Sequence, residues 1–253
     1  MDEGLLGVFR DGKGSALLSH LESRGHAYLA IFAVFFIAGY PVAEWLIQWL
    51  LDSDGFVPDG VQVIILQPLE MILLRLRIAA QIAFGAMAVA IMIDLSWSGG
   101  KAIPRGSASL PSGSGASGVL AVIISIVALG GLGLTYAHNV LIPFLLEYLA
   151  EDTAASGLQS TWQLQSWVGF VTGLYFSSIL GFQVPVVVIV LLRADIIDRS
   201  AIEANRGLIW FVALFLGALI SPPDPISMFL VGGPMLVLLE LALALERVSS
   251  RRA

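Results

Sequence analysis

The amino-acid sequence predicts an all-α, polytopic membrane protein with six transmembrane helices, both termini cytoplasmic and the last two helices short. Three observations carry that prediction. Of 253 residues, 57% are hydrophobic and only 13% charged, against the roughly 25% charged residues of a soluble domain, and mean hydropathy is +0.88. Apolar runs of bilayer-crossing length recur along the chain, and the cations cluster in alternate loops. A cytosolic globular enzyme is excluded by the same numbers. Absence of Cys removes disulfides, thiolate catalysis and Cys-ligated metal sites, and three scattered His (His20, His26, His138) make a poor metal site. No cofactor is expected.

Residues 1–26 form a cytoplasmic amino-terminal segment, in which Leu17, Leu18 and Leu21 lie opposite His20, Glu22 and Ser23, a pattern suited to a helix at the membrane surface. The first four spans run from about Ala27 to Leu51, Leu69 to Leu95, Val119 to Leu146 and Trp167 to Leu192. The first begins after a mixed stretch and is long enough to cross, so no cleavable leader is expected. Between the first two, residues 61–66 are apolar but too short to cross and fit an extended or turn-rich cap. Residues 96–118, rich in Gly and Ser, have the composition of a flexible cytoplasmic loop. Beyond Gly207, prolines at 222, 223 and 225 mark a tight turn between a fifth and a sixth span. At 1.5 Å per residue the fifth span, ending at Ser221, is about 22 Å long, short of a 30 Å hydrocarbon core.

Charge fixes the orientation. Arg10, Lys13, Arg24, Lys101, Arg105, Arg193, Arg199, Arg206, Arg247, Arg251 and Arg252 all fall on the side of the termini, and the opposite loops carry acids and no cation. Arg75 and Arg77 fall inside the outer half of the second span. Two residues apart, they point to different faces, one suited to pair with Glu70 or an outer acid and the other to snorkel.

An ionisable or amide side chain in hydrocarbon needs a partner or a wet cavity. Gln183 is the clearest instance, with Pro185 two residues on set to kink the fourth span; its amide suits either an internal interhelical bond or a partner helix. Glu240 in the sixth span is expected either to pair or to share a polar cavity with Gln183. Glu44 lies near enough to the outer end to snorkel. His138 and Asn139 read as interhelical hydrogen-bonding residues. No hydrolase, metalloprotease or phosphate-loop signature occurs, so an enzyme is not expected, and no basic face suggests nucleic acid.

Several stretches are similar to TatC, the six-span receptor subunit of the twin-arginine protein translocase. Gly181-Phe-Gln-Val-Pro-Val-Val-Val-Ile-Val-Leu-Leu192 resembles the family's Phe-Glu-[Val/Leu]-Pro fourth helix, and Leu219-Ile-Ser-Pro-Pro-Asp-Pro-Ile-Ser227 its Thr-Pro-Pro-Asp turn. Ala137 to Leu149, with Pro143, is similar to the end of its third helix. Gln67-Pro68-Leu69-Glu70 through Arg77 is similar to the Ser-Pro-Thr-Glu start of its second, and His20-Leu21-Glu22-Ser23-Arg24 to its amino-terminal His-Leu-x-Glu-Leu-Arg.

The resemblance implies one concave domain over residues 1–253 in the cell membrane. It would recognise signal peptides with paired arginines and recruit single-span TatA/TatB-type partners, exporting folded proteins on the proton gradient; a homo-oligomer is compatible with it. Glu22, beside Arg24, matches a carboxylate that meets the twin arginines. Gln183 stands where the family has a mid-membrane Glu, with Glu240 the nearest group that could ionise. Arg77, Pro143, Pro185, Arg206, Pro222, Pro223 and Asp224 match its structural motifs. The loop 96–118 has no acidic residue for the family's second signal-binding carboxylate. Two other readings stay open: a small-solute or ion transporter around Gln183, Glu240 and Arg77, and a scaffold that binds single-span helices without binding signals.

Overall fold

A computed structural model describes residues 13–53, 56–58, 61–102, 116–157, 161–193, 199–220 and 225–250. The turn carrying Pro222, Pro223 and Asp224 and most of the Gly/Ser-rich loop lie outside the described residues. Helices run over α1 (Lys13–Ser23), α2 (Gly25–Asp52), α3 (Glu70–Ala102), α4 (Ala116–Tyr136), α5 (Ile142–Ala155), α6 (Leu164–Gly181), α7 (Val184–Arg193), α8 (Arg199–Ala204), α9 (Arg206–Ile220) and α10 (Pro225–Ser250). A π-helical turn, Ala137–Leu141, joins α4 to α5. The stretches 96–102 and 116–118, expected as loop, continue the helices on either side.

Four segments are long and apolar enough to cross a membrane: Gly25–Asp52, Glu70–Trp97, Gly118–Ala155 and Leu164–Leu192. Of the two further spans expected, α9 has 15 residues and α10 has 26. α10 is thus longer than the short final helix the sequence suggested, and it includes the apolar stretch Gly232–Ala244. Leu29, Ile37 and Val127 are 65%, 73% and 69% exposed on the spanning helices, a distribution that suits lipid as the solvent.

Prolines shape two of the spans. Pro185 has no N–H to donate to the Gly181 carbonyl, and the fourth span breaks there into α6 and α7, with Gln183 N–H turning back to Leu180 O at 2.9 Å. Pro143 likewise cannot donate to Asn139 O, and just before it the N–H of Ile142 reaches Ala137 O, five residues back.

The apolar cap expected over residues 61–66 is extended, and it is paired. Strand β1 (Gln62–Ile64) lies parallel to β2 (Thr161–Gln163), with Val63 opposite Trp162, joining the two long outer loops. Beneath it a core of Ile47, Leu50, Leu74, Leu141, Leu145, Trp167 and Val171 closes the outer half of the bundle. A smaller cluster of Met92, Val122, Ile126, Val186 and Val190 closes the inner half.

Helices α4 and α6 approach closely at Gly133, where a Cβ would lie 2.8 Å from Ser178 O and 3.0 Å from the Phe182 ring. At Gly131, nothing lies within 4 Å of a Cβ. Gly133→Val should therefore destabilise the bundle by about 1–3 kcal/mol, read as a lower thermal midpoint in detergent. Gly131→Val, with the same change in helix propensity and no overlap, should fall measurably less.

Candidate functional site

The cavity between the two apolar clusters has a volume of about 680 Å³, within the range of ligand pockets. Ile78, Ile82, Ile126, Leu134, Phe176 and Ile179 supply its apolar wall, and Gln81, Thr135, His138, Asn139, Thr172, Tyr175 and Gln183 its polar groups. The break at Pro185 is what places Gln183 there. The side chain is 4% exposed, and its Nε2 donates to Ile126 O and Ile179 O, both at 3.3 Å. Its Oε1 is buried without a hydrogen bond among the described residues. The amide is therefore half committed: the donors close an interhelical bond and the acceptor is left over, a costly arrangement for a buried polar atom.

Glu240 does not share this cavity. Arg206 Nη2 forms a salt bridge with its Oε2, and its Oε1 accepts from Arg206 Nε at 2.7 Å and from Trp210 Nε1 at 3.1 Å. The cause is the packing of α9 along α10, which brings a guanidinium and an indole to the carboxylate.

The expected pairing of Arg75 or Arg77 with Glu70 is absent for a similar reason. Glu70 is fully buried at the start of α3, where its Oε1 accepts from the N–H groups of Leu66 and Gln67 at 2.9 and 2.8 Å and from Gln163 Nε2 at 2.8 Å. Arg75 donates to Glu44 Oε1 at 3.1 Å instead, which leaves Glu44 paired rather than snorkelling. Arg77 packs on α6. His138 makes an interhelical contact, Nδ1 to Tyr175 OH at 2.8 Å, but Asn139 donates within its own helix, to Thr135 O.

At the cytoplasmic end, sequence reasoning missed the central residue. Asp94, in the last turns of the second span, receives His20 Nε2 at 2.8 Å, Arg24 Nη1 at 2.5 Å and Tyr28 OH at 2.7 Å. Three side chains, one each from α1, α2 and the residue between them, thus converge on one carboxylate. A signal was available: Asp94 is the one acid between Met71 and Leu146. Glu22 lies two residues from both His20 and Arg24, exposed, with no ion pair among the described residues. No group of His, Asp and Glu among the described residues is arranged to hold a metal.

The family model for Sec-independent protein translocase protein (TatC) matches residues 16–234. The chain belongs to the TatC family. It is 27% identical over 240 residues to TatCd of Bacillus subtilis strain 168, covering 93% of each chain. With TatC of Escherichia coli K12 it is 29% identical over 129 residues, 51% of this chain and 50% of that one. A crystal structure of the twin arginine translocase receptor TatC superposes with a TM-score of 0.70 at 20% identity, over 92% of this chain and 99% of that one; at that identity the likeness speaks for the fold. This TatC-family chain is thus a component of a membrane protein translocase, not an enzyme, and lies in the cell membrane.

If Glu240 serves packing rather than the cavity, its energy should be tied to Arg206. A double-mutant cycle of Arg206→Gln and Glu240→Gln, read as unfolding free energy in detergent, should give a coupling of about 1 kcal/mol or more. A coupling near zero would mean that the carboxylate acts alone.

Proposed function

We propose that this TatC-family protein is a receptor for signal peptides bearing paired arginines and a docking site for single-span TatA/TatB-type partners, in export of folded proteins driven by the proton gradient. One observation carries the first part: Asp94 already holds a guanidinium, that of Arg24, at 2.5 Å. A carboxylate placed at the cytoplasmic mouth to hold one arginine has the charge and geometry for an incoming one, which would take the place of the half-exposed Arg24. Glu22, exposed close by in sequence to Arg24, supplies the second acceptor. Asp94 takes the place that the residue 96–118 loop leaves without an acid.

The second part rests on Gln183. Gln183 lines a mainly apolar cavity and its Oε1 is left without a hydrogen bond among the described residues; a small rotation of the amide would bring that acceptor to a polar atom on a visiting helix. An amide cannot ionise, so coupling to protons does not reside in this side chain. The mainly apolar wall and the pairing of Glu240 with Arg206 speak against a small-solute path. Signal recognition and helix docking are then separate sites on one bundle.

Two outcomes test this. A twin-arginine precursor should be captured by the wild type about tenfold better than its twin-lysine variant, and Asp94→Asn or Glu22→Gln should bring that preference close to unity; equal recovery of both precursors by the wild type would refute recognition. Gln183→Leu should weaken co-purification of a single-span partner while leaving precursor capture unchanged, and joint loss of both would remove the separation of sites.

A further inference from the structure

Arg75 and Arg77 meet different fates two residues apart on α3. Arg75 has Glu44 and lies 5.9 Å above the Tyr40 ring. Arg77 has no hydrogen bond or ion pair among the described residues. Its guanidinium rests on the backbone of α6, where a Cβ at Gly169 would come within 2.6 Å of Nη1 and 3.3 Å of Cζ, and one at Gly173 within 3.9 Å of Nη2. Gly169 is buried beneath it although Arg77 itself is exposed. The two glycines make a seat that holds the exposed cation at the outer rim of the bundle, one helical turn outward of Gln81 in the cavity wall.

The charge is permanent, since guanidinium does not lose its proton in proteins. It lies seven residues from the start of α3, about 10 Å along the axis, at the end of the bundle whose loops carry no cation. The nearby carboxylates do not reach it: Glu44 holds Arg75, and Glu70 is fully buried, its Oε1 taken by two backbone N–H groups and Gln163 and its Oε2 enclosed without a partner among the described residues. A cation at that depth is expensive without a counter-ion, so the counter-ion comes from outside the chain. The solvent there supplies one in quantity, the phosphate of a lipid headgroup, whose oxygens match the planar fork. Phe84, two turns deeper on the same stripe and 52% exposed, offers an apolar contact for an acyl chain.

We propose that Arg77, seated on Gly169 and Gly173, binds the phosphate of an anionic phospholipid of the outer leaflet. The site is distinct from the cytoplasmic Glu22 and Asp94 and does not depend on signal recognition.

The test uses the full chain, purified in neutral detergent and stripped of lipid, with phosphatidylglycerol titrated in and the bound lipid counted by native mass spectrometry. The wild type should retain a tightly held phosphatidylglycerol, and Arg77→Gln should weaken that binding by about tenfold or more. Inorganic phosphate at the same concentration should not displace the lipid. Equal retention by wild type and Arg77→Gln would overturn the proposal, leaving the guanidinium for a protein carboxylate, and displacement by inorganic phosphate would overturn its lipid part. Should Arg77→Gln fail to fold, Gly169→Leu keeps the cation and fills its seat. The same loss is expected there, and undiminished retention overturns the proposal equally.

Discussion

In a bilayer, helices gain nothing by hiding apolar surface from one another, because lipid is as apolar as they are. What joins the elements of this protein specifically is the need of each intramembrane carboxylate for a partner. Glu44 ties α2 to α3 through Arg75. Glu70 ties the start of α3 to Gln163 of β2. Asp94 gathers α1 and the beginning of α2 onto the cytoplasmic end of α3. Glu240 binds α10 to α9 through Arg206 and Trp210. Each tie works because removing one member would strand a charge in a medium that cannot solvate it.

These ties lie toward the two ends of the bundle and leave its middle unfilled. The outer apolar cluster and the smaller inner one seal above and below, and the proline break between α6 and α7 prevents the fourth span from closing the gap as a straight helix. Gln183 belongs to that break. Its donors stitch α6 to α4 through Ile126, holding the wall in shape, while its acceptor is left over. An unsatisfied polar atom beside an apolar hollow is a strained arrangement, and such arrangements recur where a protein receives something.

Much of this was legible in the sequence. Long apolar runs announce the four spans because nothing else in a protein is apolar for so long, and Pro185 announces its break because the missing N–H acts locally. The pairings were not legible, since they depend on which helix faces are brought together. Glu240 could equally have met Gln183 or Arg206, and only the packing of α9 along α10 decides. Asp94 was hidden by its position inside an apolar run, where span-finding counts it as a tolerated exception. The joining of residues 62–64 to 161–163 escaped for the same reason, because strand pairing across so long a separation leaves no mark on either strand's composition. Asn139 failed in the other direction: its amide found a carbonyl one turn back in its own helix before any neighbour could supply one.

That strand pairing has a bearing on how the protein is made. Gln62 meets Thr161, so its two halves leave the ribosome about a hundred residues apart, an interval of ~5–20 s at ordinary rates of synthesis. Until the second half emerges and two further spans have been inserted, Gln163 cannot reach Glu70, and that acid at the head of the second span must rely on backbone donors or on water at the bilayer surface. The clasp can close only after the third span is in place, so the outer ends of the first three spans are tied together in a single step part-way through synthesis.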